Sequence, residues 1–344
     1  MKKIIICIAL MTLFLTCKKE HAGKNIYMTK PTLTYRYGDL IVVRDIISGN
    51  VTTVFSGYDA NPQINPSYPA WSSDGSKICF ITSPYPLITN DLYTVNISIS
   101  PIDGLPVGSN PTKIGDGAAG GGRYGQAKWR PGTNQIAYVW KRTGETDKIH
   151  LLPSAGGPAT VIYSTANTDW VIERNLSFND IAFKSDGSRL VFCERQTSTG
   201  SLFLKVLDLT NNSVIKSINL SQYKSIHSLD WAKKAGSNIV AIETVPFCDG
   251  TVSGNSDIRQ IYTVDVGSAT PIMSWIKNDA GDINWSSDDT QFAMTAWIAR
   301  ISAVGSSCAL SVYQDIKIFT IATPLIDYLG STSSYQGFYL DWRR

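Results

Sequence analysis

The 344-residue chain holds little of what most enzymes and nucleic-acid binders are built from. Its three histidines are His21, His150 and His227. No His-Glu-x-x-His, Cys-x-x-Cys or Gly-x-Ser-x-Gly pattern occurs, so the familiar zinc, dithiol and serine-nucleophile signatures are missing. Charged residues make up 17%, against about 25% in ordinary soluble domains. The formal net charge of +3 provides no basic footprint for nucleic acid. No amphipathic stretch runs longer than about two helical turns. The one long apolar run, residues 4–15, is too short to cross a bilayer as a helix, which needs about 20 residues.

That run has a different use. Lys2 and Lys3 precede it, and Leu13-Phe14-Leu15-Thr16-Cys17 closes it, which suits the charged and apolar regions of a signal peptide. The segment resembles a bacterial lipobox, with Thr16 where Gly, Ala or Ser is usual. The resemblance implies a signal peptide over 1–16, lipidation of Cys17, and a polar tether over 17–31. Cys17 is not followed by Asp, which under the enterobacterial sorting rule implies the outer membrane. Lys18-Lys19-Glu20 faintly resembles a surface-export signal. The expected location is the bacterial cell envelope, with the membrane reached through the lipid anchor alone.

Beyond the tether, Tyr, Trp, Thr, Ser, Ile and Val abound, which favours strands. Six aromatics sit just ahead of a polar turn or the chain end: Trp71, Trp129, Phe183, Trp231, Trp285 and Trp342, spaced 58, 54, 48, 54 and 57 residues apart. The clearest copies read YPAWSSDGSKICFIT (68–82), DIAFKSDGSRLVFCE (180–194) and DINWSSDDTQFAMTA (282–296). A period of this length marks a repeat architecture. Four strand-like runs per period suit a propeller blade, with strands A to D counted outward. The aromatics end the A strands as structural residues packed between blades, and Ser-Asp-Gly after them is hairpin chemistry. The chain ends in an A strand without B, C and D, and three strands over 33–55 precede the first blade. The expected fold is therefore an all-β, six-bladed propeller of four antiparallel strands per blade, a single domain over 32–344. Its ring is closed by one C-terminal strand (338–344) plus the three N-terminal ones, which removes the open seam.

The aromatic-Ser-x-Asp-Gly repeat resembles that of TolB-type propellers and of the propeller domains of dipeptidyl-peptidase and prolyl-oligopeptidase relatives. Trp129-Arg130-Pro131-Gly132 and Trp231-Ala232-Lys233-Lys234 depart from it, and Trp285 is followed by Ser-Ser-Asp-Asp. The oligopeptidase relatives keep their chemistry in a separate hydrolase domain, which this reading does not find in the chain. The TolB resemblance implies a non-catalytic envelope scaffold that binds a protein or peptide, with no cofactor and no active residue carried over.

Alternation of strands places the long loops on one face: 83–91, 141–147, 244–257 and 297–314 join strands B and C, while 56–67, 115–125 and 164–178 join D to the next A. Long loops on a rigid scaffold collect binding residues. The binding-face candidates are Tyr85, Arg123, Tyr124, Arg142, Trp170, Arg174, Phe247, Trp297 and Arg300, since aromatics with Arg suit recognition of proteins or sugars. Gly117–Gly125 reads as a flexible crossing, because no helix follows to make it a phosphate loop. Cys79 and Cys193 fall in B strands as buried thiols. Cys248 and Cys308, in loops of adjacent blades, are candidates for a disulfide beyond the inner membrane. Loop acids (Asp103, Asp116, Asp169, Glu173, Asp249 and Asp257) leave two alternatives open: a Ca²⁺ site, or a carbohydrate-binding or polysaccharide-cleaving propeller with paired carboxylates.

Overall fold

The structure is a computed structural model, and it describes residues 32–60, 63–84, 90–117, 121–173, 181–246, 260–278, 280–304, 307–320, 326–328 and 337–342. The expected signal peptide and the tether with Cys17 lie outside them.

The chain begins with β1 (Thr32–Tyr37), β2 (Leu40–Asp45) and β3 (Val51–Ser56). The first full blade is β4 (Ile64–Trp71), β5 (Lys77–Pro84), β6 (Asp91–Ile99) and β7 (Pro106–Gly115). The second is β8 (Arg123–Trp129), β9 (Gln135–Lys141), β10 (Lys148–Pro153) and β11 (Thr160–Ser164). In the third, the inner strand is split into β12 (Trp170–Ile172) and β13 (Ile181–Phe183), followed by β14 (Arg189–Gln196), β15 (Leu202–Asp208) and β16 (Ser213–Asn219). The fourth is β17 (Tyr223–Trp231), β18 (Ile239–Pro246), β19 (Gln260–Asp265) and β20 (Met273–Asn278). The fifth is β21 (Ala280–Trp285), β22 (Gln291–Val304), β23 (Ser307–Thr320) and β24 (Ile326–Tyr328), and β25 (Gly337–Trp342) ends the series.

Six antiparallel sheets result, and the sixth runs β25-β1-β2-β3. Leu33 pairs with Trp342 and Tyr37 with Gly337, so one C-terminal strand and three N-terminal strands complete the last blade. Each inner strand packs on the next, and β25 touches both β21 and β4. The ring is closed, as a propeller must be to leave no exposed seam between its first and last blades.

The aromatics that set the period are packed as blade filler. Trp71, Trp129, Phe183, Trp231 and Trp285 are all buried; the side chain of Trp342 is outside the described residues. Trp129 donates its indole N–H across the seam to the Ala70 carbonyl (3.0 Å). Cys79 and Cys193 are buried free thiols.

The turns after the aromatics have a repeated internal mechanism. Ser72 Oγ donates to Asp74 (2.6 Å) and accepts from the Lys77 N–H (2.9 Å). In the fifth blade, Ser286 repeats both bonds with Asp288 (2.6 Å) and the Gln291 N–H (3.0 Å). A left-handed residue completes each turn, including the degenerate copies: Gly75, Gly132, Gly187, Gly236 and Asp289 all have positive φ. Gly187 has a second constraint, since a Cβ there would lie 2.5 Å from the Pro131 carbonyl oxygen of the neighbouring blade. Asp289 replaces glycine with a residue that tolerates this conformation, and its carboxylate accepts the backbone N–H groups of Lys233 and Lys234 in the fourth blade. Arg130 Nε bonds the Gly187 carbonyl (2.9 Å) in the same blade-to-blade sense.

Two expectations need correction. Residues 297–304 and 307–314 are not a B–C loop. They form the outer part of a regular hairpin, paired from Gln291↔Thr320 to Val304↔Ser307, and they include the strand-favouring residues Ile298, Ile301, Val304, Val312 and Tyr313. Nor is the glycine-rich crossing a flexible spacer where it is described. A Cβ at Gly117 would lie 2.0 Å from the Asn90 carbonyl, and one at Gly122 would lie 2.3 Å from the Trp140 ring. Close packing requires glycine at both positions.

Candidate functional site

An innermost strand has a strand neighbour on one side only, so alternate N–H and C=O groups along its other edge need partners. Here the preceding blade supplies them from buried polar side chains. The Asn90 carboxamide accepts from the Tyr124 N–H (2.7 Å) and donates to the Tyr124 carbonyl (2.6 Å), as a peptide unit would. Asp147 accepts from the Ile172 N–H (2.9 Å), Lys141 donates to the Ile172 carbonyl (2.7 Å), and the two side chains form an ion pair (2.7 Å). Ser228 accepts from the Ile283 N–H (3.1 Å) and Asp230 from the Trp285 N–H (2.8 Å). Asn90 and Asp147 belong to B–C connections, so they brace the long-loop face at its inner rim.

Around this rim the loops are tied to one another. Asp169, in a D–A connection, accepts from Thr197 Oγ1 and Ser198 Oγ (both 2.6 Å) in a B–C turn. Bonds from Ser198, Thr197 and Gln196 hold its carboxyl well below the usual range. Gly117 N–H donates to Asp91 (3.0 Å), and Lys113 bridges Asp116 (2.7 Å) and Asp91 (3.1 Å). Arg195 donates two bonds to Glu173 (2.8 and 2.9 Å) and a third to the Lys224 carbonyl (2.6 Å).

Between the second and third blades lies the most organised side-chain cluster of the face. Trp170 is half-buried, with its ring 5.9 Å from that of Phe203 and the Lys205 ammonium 5.3 Å from its centroid. Lys205 also bonds the carboxylate of Glu194, which is 1% exposed, and the Tyr163 hydroxyl. That hydroxyl donates to Glu194 (2.5 Å). Burial, and next the bond to Glu194, push the Tyr163 phenol upward, so it stays neutral. The charges of Lys205 and Glu194 satisfy each other. The cluster therefore offers a ligand the open side of the Trp170 ring on a rigid mount, and no free acid–base pair.

The sequence candidates fall into three groups. Arg142 and Arg123 are exposed, and Arg142 pairs with Glu145 (3.0 Å), which also bonds Lys148 (3.2 Å). Trp170 joins this group. Tyr124 does not, because it is 6% exposed and packed against Tyr138 and Trp140 in the core. Tyr85, Arg174 and Phe247, and with them Cys248, are outside the described residues. Trp297, Arg300 and Cys308 stand on the hairpin of β22 and β23, and their side chains are likewise outside. Among the described residues, no three His, Cys, Asp or Glu side chains gather as a metal site would need.

Lys205 and Glu194 were missed by sequence reasoning. The available signal was a lone lysine in Leu202-Phe203-Leu204-Lys205-Val206-Leu207, since a charge inside an apolar strand requires a partner. His150 stacks on Tyr138 (5.2 Å) with neither ring nitrogen hydrogen-bonded. Burial, then the Lys148 charge, lower its pKa. The sign follows: below about pH 6.5 the unfolded chain takes up a proton that the folded chain refuses, so stability falls with pH until the folded-state value is reached. His150→Phe should flatten the dependence of the melting temperature on pH across this window. An unchanged slope would exclude His150 as its source.

No family model matches the chain, and no curated protein does. Solved structures match in fold. TolB from Acinetobacter baumannii is 13% identical, over 92% of this chain and 67% of that one, at a TM-score of 0.57. A chain of a nidogen/laminin complex is 7% identical, over 91% and 98%, at 0.58. Hydrazine synthase from Kuenenia stuttgartiensis is 10% identical, over 82% and 71%, at 0.51. At such identities the likeness is one of fold: the chain is a β-propeller, similar in fold to TolB.

Proposed function

We propose that the chain is an envelope lipoprotein, anchored through Cys17 to the outer membrane, whose propeller binds a protein or peptide on its long-loop face without catalysis. The observation that carries this reading is the Trp170 platform, a half-exposed indole held by Lys205, Phe203 and the Tyr163–Glu194 pair. Rigid aromatic anchors beside charged rims are what protein interfaces use as hot spots. The charges described on the rim alternate in sign, as in Arg142–Glu145–Lys148, which suits a mixed polypeptide surface better than a polyanion. A fold neighbour solved in a nidogen/laminin complex is consistent with a propeller that holds another protein.

A photo-crosslinking residue placed at position 170 in the native envelope should yield a discrete adduct. One placed at Ser73, on the turn face, should yield none. Against the partner so identified, Trp170→Ala should weaken binding by tenfold or more, the cost of about 1.4 kcal/mol or above that marks an anchor. Equal adducts from both faces would overturn the binding-face reading. Labelling with a palmitate analogue that survives Cys17→Ser would overturn the anchor.

A further inference from the structure

Among the described residues, the three most exposed large hydrophobic side chains are Ile102 (94%), Ile272 (75%) and Ile47 (74%). All three stand in C–D connections: after β2 in the sixth blade, after β6 in the first and after β19 in the fourth. Such connections share a face with the A–B turns, to which they are bonded within a blade. Ser154 N–H donates to the Asn134 carbonyl (2.8 Å), Leu209 N–H to Ser188 (2.9 Å) and Val266 N–H to Asn238 (3.0 Å). The isoleucines therefore stand on the turn face, away from the long loops. In the sixth and first blades the outer strands meet directly: β3 packs against β7, and a Cβ at Gly108 would lie 1.8 Å from the Val54 carbonyl oxygen.

Two of these tips are built on one turn. Asp45 N–H donates to the Asn50 carbonyl and Gly49 N–H to the Asp45 carbonyl, both at 2.9 Å. Ser100 N–H and Gly104 N–H repeat the two bonds to Leu105 and Ser100, again at 2.9 Å. Gly49 and Gly104 both take positive φ, and Ile47 and Ile102 fill the same position. The first residue of each turn holds that isoleucine's N–H, through Asp45 Oδ1 at 2.8 Å and Ser100 Oγ at 3.3 Å. The turn itself does not require an apolar tip. On the long-loop face Gln196, Gly200 and Ser201 build it once more, and there Ser198 stands at the tip.

Thr32, at the start of β1, pairs with Asp45, and Leu33 pairs with Trp342. The segment from Cys17 thus enters the propeller at the root of the Ile47 turn. Residues 18–31 span at most about 50 Å, and the long-loop face lies a strand length, roughly 20 Å, farther off. We propose that the turn face lies against the bilayer that holds Cys17, with Ile47, Ile102 and Ile272 seated in its interfacial layer. The inference rests on the lipid-anchor reading above. Separate tips around a rim give a protein partner no continuous apolar core of the size a stable interface buries, whereas a fluid interfacial layer takes each one independently. Ile47 and Ile102 carry N–H groups that are already bonded, which lowers the cost of leaving water. The anchor keeps the tips at high effective concentration beside the surface, so weak insertion suffices. Trp170 then points away from the membrane.

The test places a fluorescent amino acid at position 102, 272 or 58 of the full chain, made with its own signal in a bacterial host. Each protein is reconstituted into vesicles of phosphatidylethanolamine and phosphatidylglycerol, with plain or brominated acyl chains. Brominated lipid should cut the emission at 102 and 272 by half or more. It should leave the emission at 58 unchanged, since Tyr58 is exposed on the long-loop face. Ile47→Asp with Ile272→Asp should restore the emission at 102, and an unchanged melting temperature would show that the ring is intact. Protein that floats with the vesicles but is not quenched at 102 overturns this inference and leaves the anchor standing. Protein that does not float with them overturns the anchor, and this inference with it. Equal quenching at 58 and 102, or quenching at 102 that survives the two aspartates, also overturns the proposed footing.

Discussion

Asp230→Ala should lower the free energy of unfolding by about 3–5 kcal/mol, the usual cost of removing one partner from a buried ion pair. Asp230 is 3% exposed. One of its oxygens takes the Lys233 ammonium at 2.5 Å, and the other takes the Trp285 N–H of the next blade at 2.8 Å. Alanine takes this carboxylate from the Lys233 ammonium and from a buried strand N–H together, in a seam filled by Trp231, Ile283 and Trp285. Asp230→Asn keeps an acceptor for the N–H and should cost less. The control is Asp116→Ala, which breaks an ion pair whose partners are about 40% exposed and should change stability by no more than about 1 kcal/mol. Urea denaturation of the three variants measures all of this. A loss for Asp230→Ala as small as that for Asp116→Ala would mean that the seam does not depend on this bridge.

The same residue shows where the sequence was legible and where it was not. The period, the aromatics and the polar turns repeat because every blade solves the same packing problem, and these point to six sheets and a shared last blade. The side chains that bridge blades do not repeat. Asn90 and Asp147, each just before a C strand, and Ser228 and Asp230, both in an A strand, all satisfy the free edge of the next inner strand, but the residue types change from blade to blade. A single blade read alone gives no reason for any of them.

The inner strands also proved longer than expected. The first was expected from Tyr68 and starts at Ile64; the second was expected from Gln126 and starts at Arg123. The reason is a bulge. Register shifts fall between Ser67 and Ala70, between Tyr124 and Ala127, between Ile226 and Ser228, and between Gly281 and Asn284. Each lies a few residues before the aromatic. In the third blade the two parts of the strand, β12 and β13, are separate. A bulge breaks two-residue alternation, so a reading by alternation stops there and assigns the rest to a loop. Tyr124 was placed on the binding face for this reason, although it lies on the buried side of an inner strand. Trp170 was picked out as a loop aromatic, but its setting depends on Lys205 and Tyr163, from two other strands in two blades, and no local pattern joins them.

The largest effect should come from cutting the chain after residue 336, which removes β25 alone. The truncated protein should lose its cooperative melt and become sensitive to proteolysis throughout. β25 is the inner strand of the closing blade and supplies the pairing edge of β1 from Leu33↔Trp342 to Tyr37↔Gly337. β1 is itself core: Leu33, Thr34 and Tyr35 are all buried, and Leu33 and Tyr35 cluster with Val42 and Ala293. Without β25 this edge has no partner, and β4 and β21 lose the strand between them. The core is one set of clusters running around a ring, so an opening at one seam exposes apolar surface on both sides and leaves a strand edge free to recruit other chains. Removing a peripheral strand is a different matter: β24 pairs with β23 through three residue pairs only, so disrupting it should cost the fifth blade without opening the ring. Added back as a synthetic peptide, residues 337–344 should restore protection from proteolysis to the truncated chain. A truncated protein that melts as the parent does would show that the ring holds without its clasp.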